Sequence, residues 1–494
     1  MRLTREHAKA RVYILYTGGT IGMVLSDADN PASPLVPASK EELQPYIAGV
    51  EQEGIYWEIG GLVDRKGKPV PPLDSSDVNH EHWIYMAEAI EDVYRDFDGF
   101  VVLHGTDTMA YTASGLSFLL ANLAKPVVIT GSQLPIFSPR TDAIQNLVNA
   151  IYIAGYKAIN LPLVPEVTIC FADSLLRGNR TTKVSTSAMQ GFDSPNYPKL
   201  GTIGEHIKIN TEFIRPPSNN EQSPFYAYKT LNANVMDIGL FPGLRASQLE
   251  SVLSLSDLQG VVLRTFGAGN APSYSDFLDT IGKSIAKEKV ILNVTQCVQG
   301  AVEMGLYEAS SGLLERGVIS GMDMTAEAAL AKMMWILATE FGEQIQTQLQ
   351  IAQRGEQSEN LFDVRYGTIG RESEPQRLIQ ASASPAGQFR KAHLNRAVLR
   401  ISEVGFEGLG EDEEIELRIF VNLPAAAGTS TDDPHYAGSF FYRNSQSANL
   451  LKDITPTIRR VAEDGRPIYI TLVPIGDKRV WCKGLYLALF AKAD

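Results

Sequence analysis

Over the first 200 positions the apolar residues fall in short runs, each closed by turn-forming residues. "VYILYTGG" begins at residue 12, "GFVVLHG" at 99, "KPVVITG" at 125 and "EVTICFA" at 166. Their β-branched and aromatic content predicts buried strands. Between them, "TMAYTASGLSFLLANL" and "DAIQNLVNAIYIAG" (142–155) space their apolar residues as helices do. Short strands alternating with helices predict an α/β domain on a parallel sheet with helices on both faces. Its expected span is 10–215. "RPPSNNEQSPFYAYKTLNANV" interrupts the pattern and predicts a linker over 216–234. The alternation then resumes in "GVVLRTFGAGNAP", "KVILNVTQC" and "GVISGMDM", followed by a helix from about Thr325. That predicts a smaller α/β domain over 235–355.

A polar stretch rich in Ser, Gly and Pro predicts a second linker over 356–393. Beyond it the period shortens to two. "RAVLRISEV", "EIELRIFVNL", "AGSFFYR", "PIYITLVPI" and "VWCKGLYLALF" alternate apolar with polar residues. This predicts an all-β, sandwich-like module over 394–494.

Composition narrows the function classes. A chain of 494 residues needs more than one core. No apolar stretch reaches a membrane-spanning length. A formal net charge of −13 argues against a nucleic-acid or anionic-membrane partner, which calls for surplus Lys and Arg. Cys170, Cys297 and Cys482 lie far apart without a CxxC spacing, so neither a disulfide framework nor a zinc site is expected. No secretory signal pattern opens the chain, and the cytoplasm is the expected compartment.

Candidate chemistry gathers where strands end. "TGGTIG" (17–22) lacks the GxGxxG spacing of a dinucleotide site and the GK[ST] ending of a P-loop. Thr20 is then a turn residue or a nucleophile. "HGTDT" (104–108) again follows a strand and precedes a helix, bringing Thr106 and Asp107 to the carboxyl edge of the sheet, where ligands of open α/β folds bind. "PLDSSDV" adds Ser75, Ser76 and Asp77, and "RGNRTTK" adds Thr182 and Lys183. A threonine needs a neighbour to take its proton. His104, inside a strand, reads as a hydrogen-bonded structural residue. His80 and His82 are a weak metal pair without further ligands, so no metal is expected. A lysine beside an aspartate is a workable base, and Thr–Lys–Asp forms a relay without histidine. Backbone N–H groups at the glycines offer an oxyanion hole.

Together "YTGGTIGM", "DSSD", "DGFVVLHGTDTMAYTASGLSFLL", "KPVVITGSQLP" and "RGNRTTK" resemble the bacterial-type L-asparaginases, in particular the cytoplasmic type I branch, over roughly residues 10–355. The resemblance implies hydrolysis of L-asparagine to L-aspartate and ammonia through an acyl-threonine on Thr20, with no cofactor. Thr106, Asp107 and Lys183 would form the second catalytic group, Lys183 accepting the proton and Asp107 also gripping the substrate's amino group. Gly19, Ser75 and Ser76 would complete the substrate site, the serines holding the α-carboxylate. A homodimer or homotetramer is implied. Many relatives carry a tyrosine shortly after the nucleophile. "MVLSDADNPASPLVPAS" has none, and Tyr307 is the expected substitute, with plain packing as the alternative. "LRTFGAGNAP" and "NVTQC" resemble segments that bind regulatory asparagine in some type I enzymes, which would make Thr182, Arg264 and Cys297 an allosteric set. Alternatives within this chemistry are a glutaminase or an amidotransferase subunit, and outside it an inactive asparagine sensor. The last hundred residues resemble the small C-terminal β-domain of plant polyphenol oxidases, without a copper-type histidine set.

Overall fold

The computed structural model describes residues 3–493 apart from 28–29, 31–32, 38–44, 46–49, 51–52, 218–222, 305–307, 371–388, 411–412, 426, 444–447 and 477. The chain divides into two compact units. The first comprises Met1–Met304, Gly312–Ile345 and Gln353–Glu356. The second comprises Gly305–Ser311, Gln346–Ala352 and Gln357–Asp494.

The first unit opens with β1 (Ala10–Tyr16), β2 (Ile55–Gly61), α1 (His80–Val93), β3 (Gly99–Leu103), α2 (Met109–Leu119), β4 (Val127–Thr130), α3 (Ala143–Ala154) and β5 (Val167–Phe171). β6 (Ser174–Arg177), β7 (Gly201–Ile203) and β8 (Ile207–Ile209) follow. They form one eight-stranded sheet in the order β8-β7-β6-β5-β4-β3-β1-β2. From β2 to β5 every pairing is parallel. Strands β3, β4 and β5 are buried along their whole length, which explains their unbroken apolar runs. The expected parallel sheet turns antiparallel at β6. Only Ala172 and Asp173 join β5 to β6, too few residues for a crossover. Helix α2 is buried on nearly every side, and its apolar residues therefore form no single stripe.

A second sheet contains β9 (Val235–Gly239), β10 (Gly260–Thr265), β11 (Val290–Thr295) and β12 (Ile319–Ser320), all parallel and in sequence order. Its helices include α4 (Ala246–Leu253), α5 (Ser275–Ile285) and α6 (Ala326–Thr339). Thr325 caps α6, its side chain accepting from the Ala328 N–H. Helix α6 serves both sheets: it packs on β9 and β10, while Trp335 stacks on Phe118 of α2. Lys332 of α6 pairs with Glu356 at 2.7 Å, both side chains 0 % exposed. Burial raises the Glu356 carboxyl, but Lys332 and the N–H groups of Gln353 and Arg354 outweigh it and hold the group below its ordinary value.

Both expected linkers carry structure. Within 216–234, Tyr226–Ala227 pairs with Leu120–Ala121, and Phe225 stacks on Tyr94 with centroids 3.6 Å apart. Tyr228 meets Trp335 edge-on with centroids 5.5 Å apart, so this part of the polar segment packs within the first unit. Within 356–393, Glu359–Ile369 forms β13. Its polar flanks mask a buried set of Phe362, Val364 and Tyr366. Residues 371–388 lie outside the described residues.

The second unit continues with β14 (Leu394–Glu407), β15 (Glu414–Val421), β16 (Tyr436–Arg443), β17 (Ala448–Asp453), α7 (Thr455–Val461), β18 (Ile470–Ile475) and β19 (Arg479–Lys492). Two antiparallel sheets, β13-β19-β14-β17 and β16-β15-β18, share one apolar core. Burial alternates over the first half of β15 and much of β19, in keeping with the two-residue period of the sequence, whereas β14 is buried in longer runs. The added helix α7 buries Ile458 in the same core.

Candidate active site

Three backbone turns nest at the carboxyl ends of β1 and β3. Thr17 bonds β3 twice, its N–H and Oγ1 both donating to the Leu103 carbonyl at 3.1 and 2.7 Å. Leu73 donates to the Thr17 carbonyl and accepts from the Gly19 N–H, which brings the 72–77 turn alongside. The fit tolerates no side chain. A Cβ on Gly18 (φ 118°) would stand 2.2 Å from the Leu73 oxygen, and one on Gly19 (φ 88°) 2.2 Å from the Gly105 nitrogen. Gly105 in turn lies under Ser75, whose Oγ would be 2.5 Å from a Cβ there. Thr20 and Thr106 are therefore the residues next to a single backbone contact. Thr20 is half-buried, and its hydroxyl makes no hydrogen bond among the described residues.

Lys183 joins the group from a short strand, Thr182–Lys183, paired with Phe192–Asp193. Its Nζ donates to Thr106 Oγ1 at 2.9 Å and to Asp107 Oδ1 at 2.6 Å. The side chain is 17 % exposed against 69 % for Asp107, so Nζ lies inward and the Asp107 carboxyl group faces solvent. The following loop is tied down by Gln133, whose Nε2 donates to the Ala188 carbonyl. Gln133 is fixed in turn by its N–H to Asp142.

The two serines differ. Ser75 is buried, and its carbonyl accepts from Thr108 Oγ1 at 2.6 Å. Ser76 is exposed, its N–H and hydroxyl both given to Asp74, whose carboxyl they lower. His104 is wholly buried, and burial lowers it to about 4. Its Nδ1 faces the Gly105 carbonyl at 2.7 Å, so Nδ1 carries the proton and Nε2 accepts from Thr112. Trp83 Nε1 completes the chain by donating to Thr112 Oγ1. This neutral relay holds the backbone just before Thr106. No cluster of three or more metal-ligating side chains occurs among the described residues, and His82 accepts from the Asn79 N–H as part of a helix cap. No helix there is long and apolar enough to cross a membrane.

Residues 11–215 match the family "Asparaginase, N-terminal", and residues 234–349 match the "Glutaminase/Asparaginase C-terminal domain". The chain belongs to the asparaginase family. It is 40% identical over 333 residues to L-asparaginase 1 of Escherichia coli K12, covering 67% of this chain and 93% of that one. It is 38% identical over 363 residues to an L-asparaginase of Dirofilaria immitis, covering 68% and 58% respectively. The crystal structure of L-asparaginase I from Vibrio cholerae O1 biovar eltor str. N16961 superposes with a TM-score of 0.61 at 36% identity, over 71% of this chain and all of that one.

Within this asparaginase fold the three residues of the expected regulatory set lie around the second sheet. Arg264 and Cys297 stand at the carboxyl ends of the neighbouring strands β10 and β11, and Cys297 is exposed. Arg264 Nε is already paired with Asp237 at 2.7 Å. Thr182 donates to the buried Glu327 of α6 at 2.7 Å. Burial raises Glu327, only partly opposed by Thr182. Burial raises the Tyr111 hydroxyl, Glu327 and Asp237 raise it further, and Arg264 opposes them. Sequence reasoning missed Glu327 and Asp237, since a lone carboxylate in a helix or strand carries no motif. Tyr307 lies outside the described residues.

Proposed function

We propose that this chain hydrolyses L-asparagine to L-aspartate and ammonia, with Thr20 as nucleophile. The observation that carries the reading is Lys183 donating to both Thr106 and Asp107, next to the Gly19–Gly105 contact. Thr20 Oγ attacks the side-chain amide carbon, and its proton passes to the amide nitrogen by way of the Lys183 group. The C–N bond breaks, ammonia leaves, and a β-aspartyl ester remains on Thr20. Water, activated by the same Thr106–Lys183 pair, adds to the ester and frees Thr20. N–H groups of the glycine turns stabilise the oxyanion. Asp107 receives the α-amino group. Ser75 receives the α-carboxylate, whereas the Asp74 bonds of Ser76 leave it a supporting role. The relatives named L-asparaginase support this substrate. We further infer a cytoplasmic homodimer or homotetramer.

A regulatory asparagine site is the second reading, favoured by Arg264, which pairs with Asp237 at the carboxyl end of β10. An incoming α-carboxylate would compete with Asp237 for Arg264. Thr182, held by Glu327, is the neighbour of Lys183, so a change there reaches the catalytic lysine directly.

The test is ammonia release from L-asparagine and L-glutamine over a wide concentration range, for wild type and Thr20→Ala. Release mainly from asparagine, lost in the variant, fits the proposal. Silence on both amides would end it.

A further inference from the structure

Away from the catalytic turns, a cavity of about 30 Å³ lies within the first unit, where β5 and β6 meet residues 353–356. Its lining includes three guanidinium groups, Arg177, Arg215 and Arg354, and one carboxylate, Glu166. That carboxylate is fully used. Arg177 binds it through two nitrogens at 2.6 and 3.1 Å, and the Arg215 backbone N–H donates to it at 2.7 Å.

The other two arginines have no acidic partner in ion-pair range among the described residues. Arg215 Nη2 reaches only the Gln353 carbonyl at 3.4 Å, and Arg354 Nη1 the same carbonyl at 3.0 Å. Arg354 Nε is buried and has no hydrogen-bond partner at all. The nearby Glu356 is occupied by Lys332. Burial lowers both Arg215 and Arg354, whereas Glu166 more than offsets burial at Arg177 and raises it. A surplus of two positive charges in a half-enclosed cavity is unfavourable without a counter-ion. An unpartnered guanidinium nitrogen is a donor awaiting an acceptor.

We infer that this cavity binds a small tetrahedral oxyanion of the phosphate class. With Arg177 committed to Glu166, the forks of Arg215 and Arg354 remain, and phosphate or sulfate can accept from both and keep oxygens for water. The volume suits a free ion and not a nucleotide. The ion would tie residues 353–356 to the strand that leads into the Lys183 segment, since Arg177 stands six residues before Lys183. The Arg177 carbonyl already anchors that run by accepting from Thr181 Oγ1.

The experiment is thermal unfolding of the whole chain in phosphate-free buffer, titrated with inorganic phosphate, sulfate, or chloride at matched ionic strength. Isothermal calorimetry with phosphate gives the stoichiometry. The expected result is a saturable rise of a few degrees in Tm with phosphate and sulfate, none with chloride, and one site per chain. The rise disappears in Arg354→Gln and shrinks in Arg215→Gln, two variants that guard against either one failing to fold. An unsaturable rise, an equal rise with chloride, or an undiminished response in the folded variants would overturn the site. An equal response to adenosine monophosphate would overturn the free-ion assignment.

Discussion

The two parallel sheets of the first unit follow one building rule and end in different chemistry. At the edge of the larger sheet, Gly18, Gly19 and Gly105 let three backbones close, and Lys183 reaches two oxygens at once. The Thr20 hydroxyl there is unengaged among the described residues. At the edge of the smaller sheet the hydroxyls are spent: Thr265 donates to Asn293 and Thr295 to the Gly267 carbonyl. Its cation, Arg264, is already paired with Asp237. The two edges thus share a location in the fold and differ in how far their hydroxyls and cations are already bonded.

The largest expected effect removes the unengaged hydroxyl. Thr20→Ala should lower kcat by about 10⁴–10⁶-fold in a steady-state ammonia assay, with circular dichroism unchanged. Lys183→Met should cost about 10²–10⁴-fold in kcat, because the proposed proton acceptor is lost while Thr20 remains. An intact kcat in either variant would erase the distinction between the two edges.

Helix α6 is common to both sheets, and its buried pair tests that coupling. Lys332→Met leaves Glu356 charged and unpaired, so denaturant unfolding should show a loss of about 3–5 kcal/mol. Lys332→Met combined with Glu356→Gln should recover part of it.

His104 gives a smaller, pH-dependent term confined to the larger sheet. Its folded value of about 4 lies below the ordinary 6.5, so the unfolded chain binds the proton more readily. The contribution is complete above pH 6.5, is lost as pH falls toward 4, and amounts to about 3 kcal/mol. His104→Gln should flatten the stability profile across that window. A profile as steep as wild type would contradict the neutral relay.

The smallest effect belongs to the smaller sheet. Arg264→Met should shift half-saturation by asparagine about tenfold and make a sigmoidal rate curve hyperbolic, with maximal kcat unchanged. A hyperbolic wild-type curve would leave that edge without a regulatory role.

Much of this was legible in the residues. The strand-ending motifs at 17–22, 104–108 and 177–183 state their own turns, since Gly and hydroxyl residues follow apolar runs there. What stayed hidden depends on distant pairing. Glu359–Ile369 looked like linker because its polar residues outnumber the face it buries, and its partner strand lies over a hundred residues on. The antiparallel turn at Ala172–Asp173 depends on loop length, which apolar periodicity does not encode. Glu327, Asp237, and the Arg177–Arg215–Arg354 cluster are scattered in sequence and meet only through packing.

The most direct test of the central claim is the intact mass of the protein, quenched in acid during turnover of L-asparagine and mapped by proteolysis. One added β-aspartyl group is expected on the peptide bearing Thr20, absent in Thr20→Ala and longer-lived in Lys183→Met. Turnover of wild type with no covalent adduct under any quench, or an adduct on another residue, would contradict it.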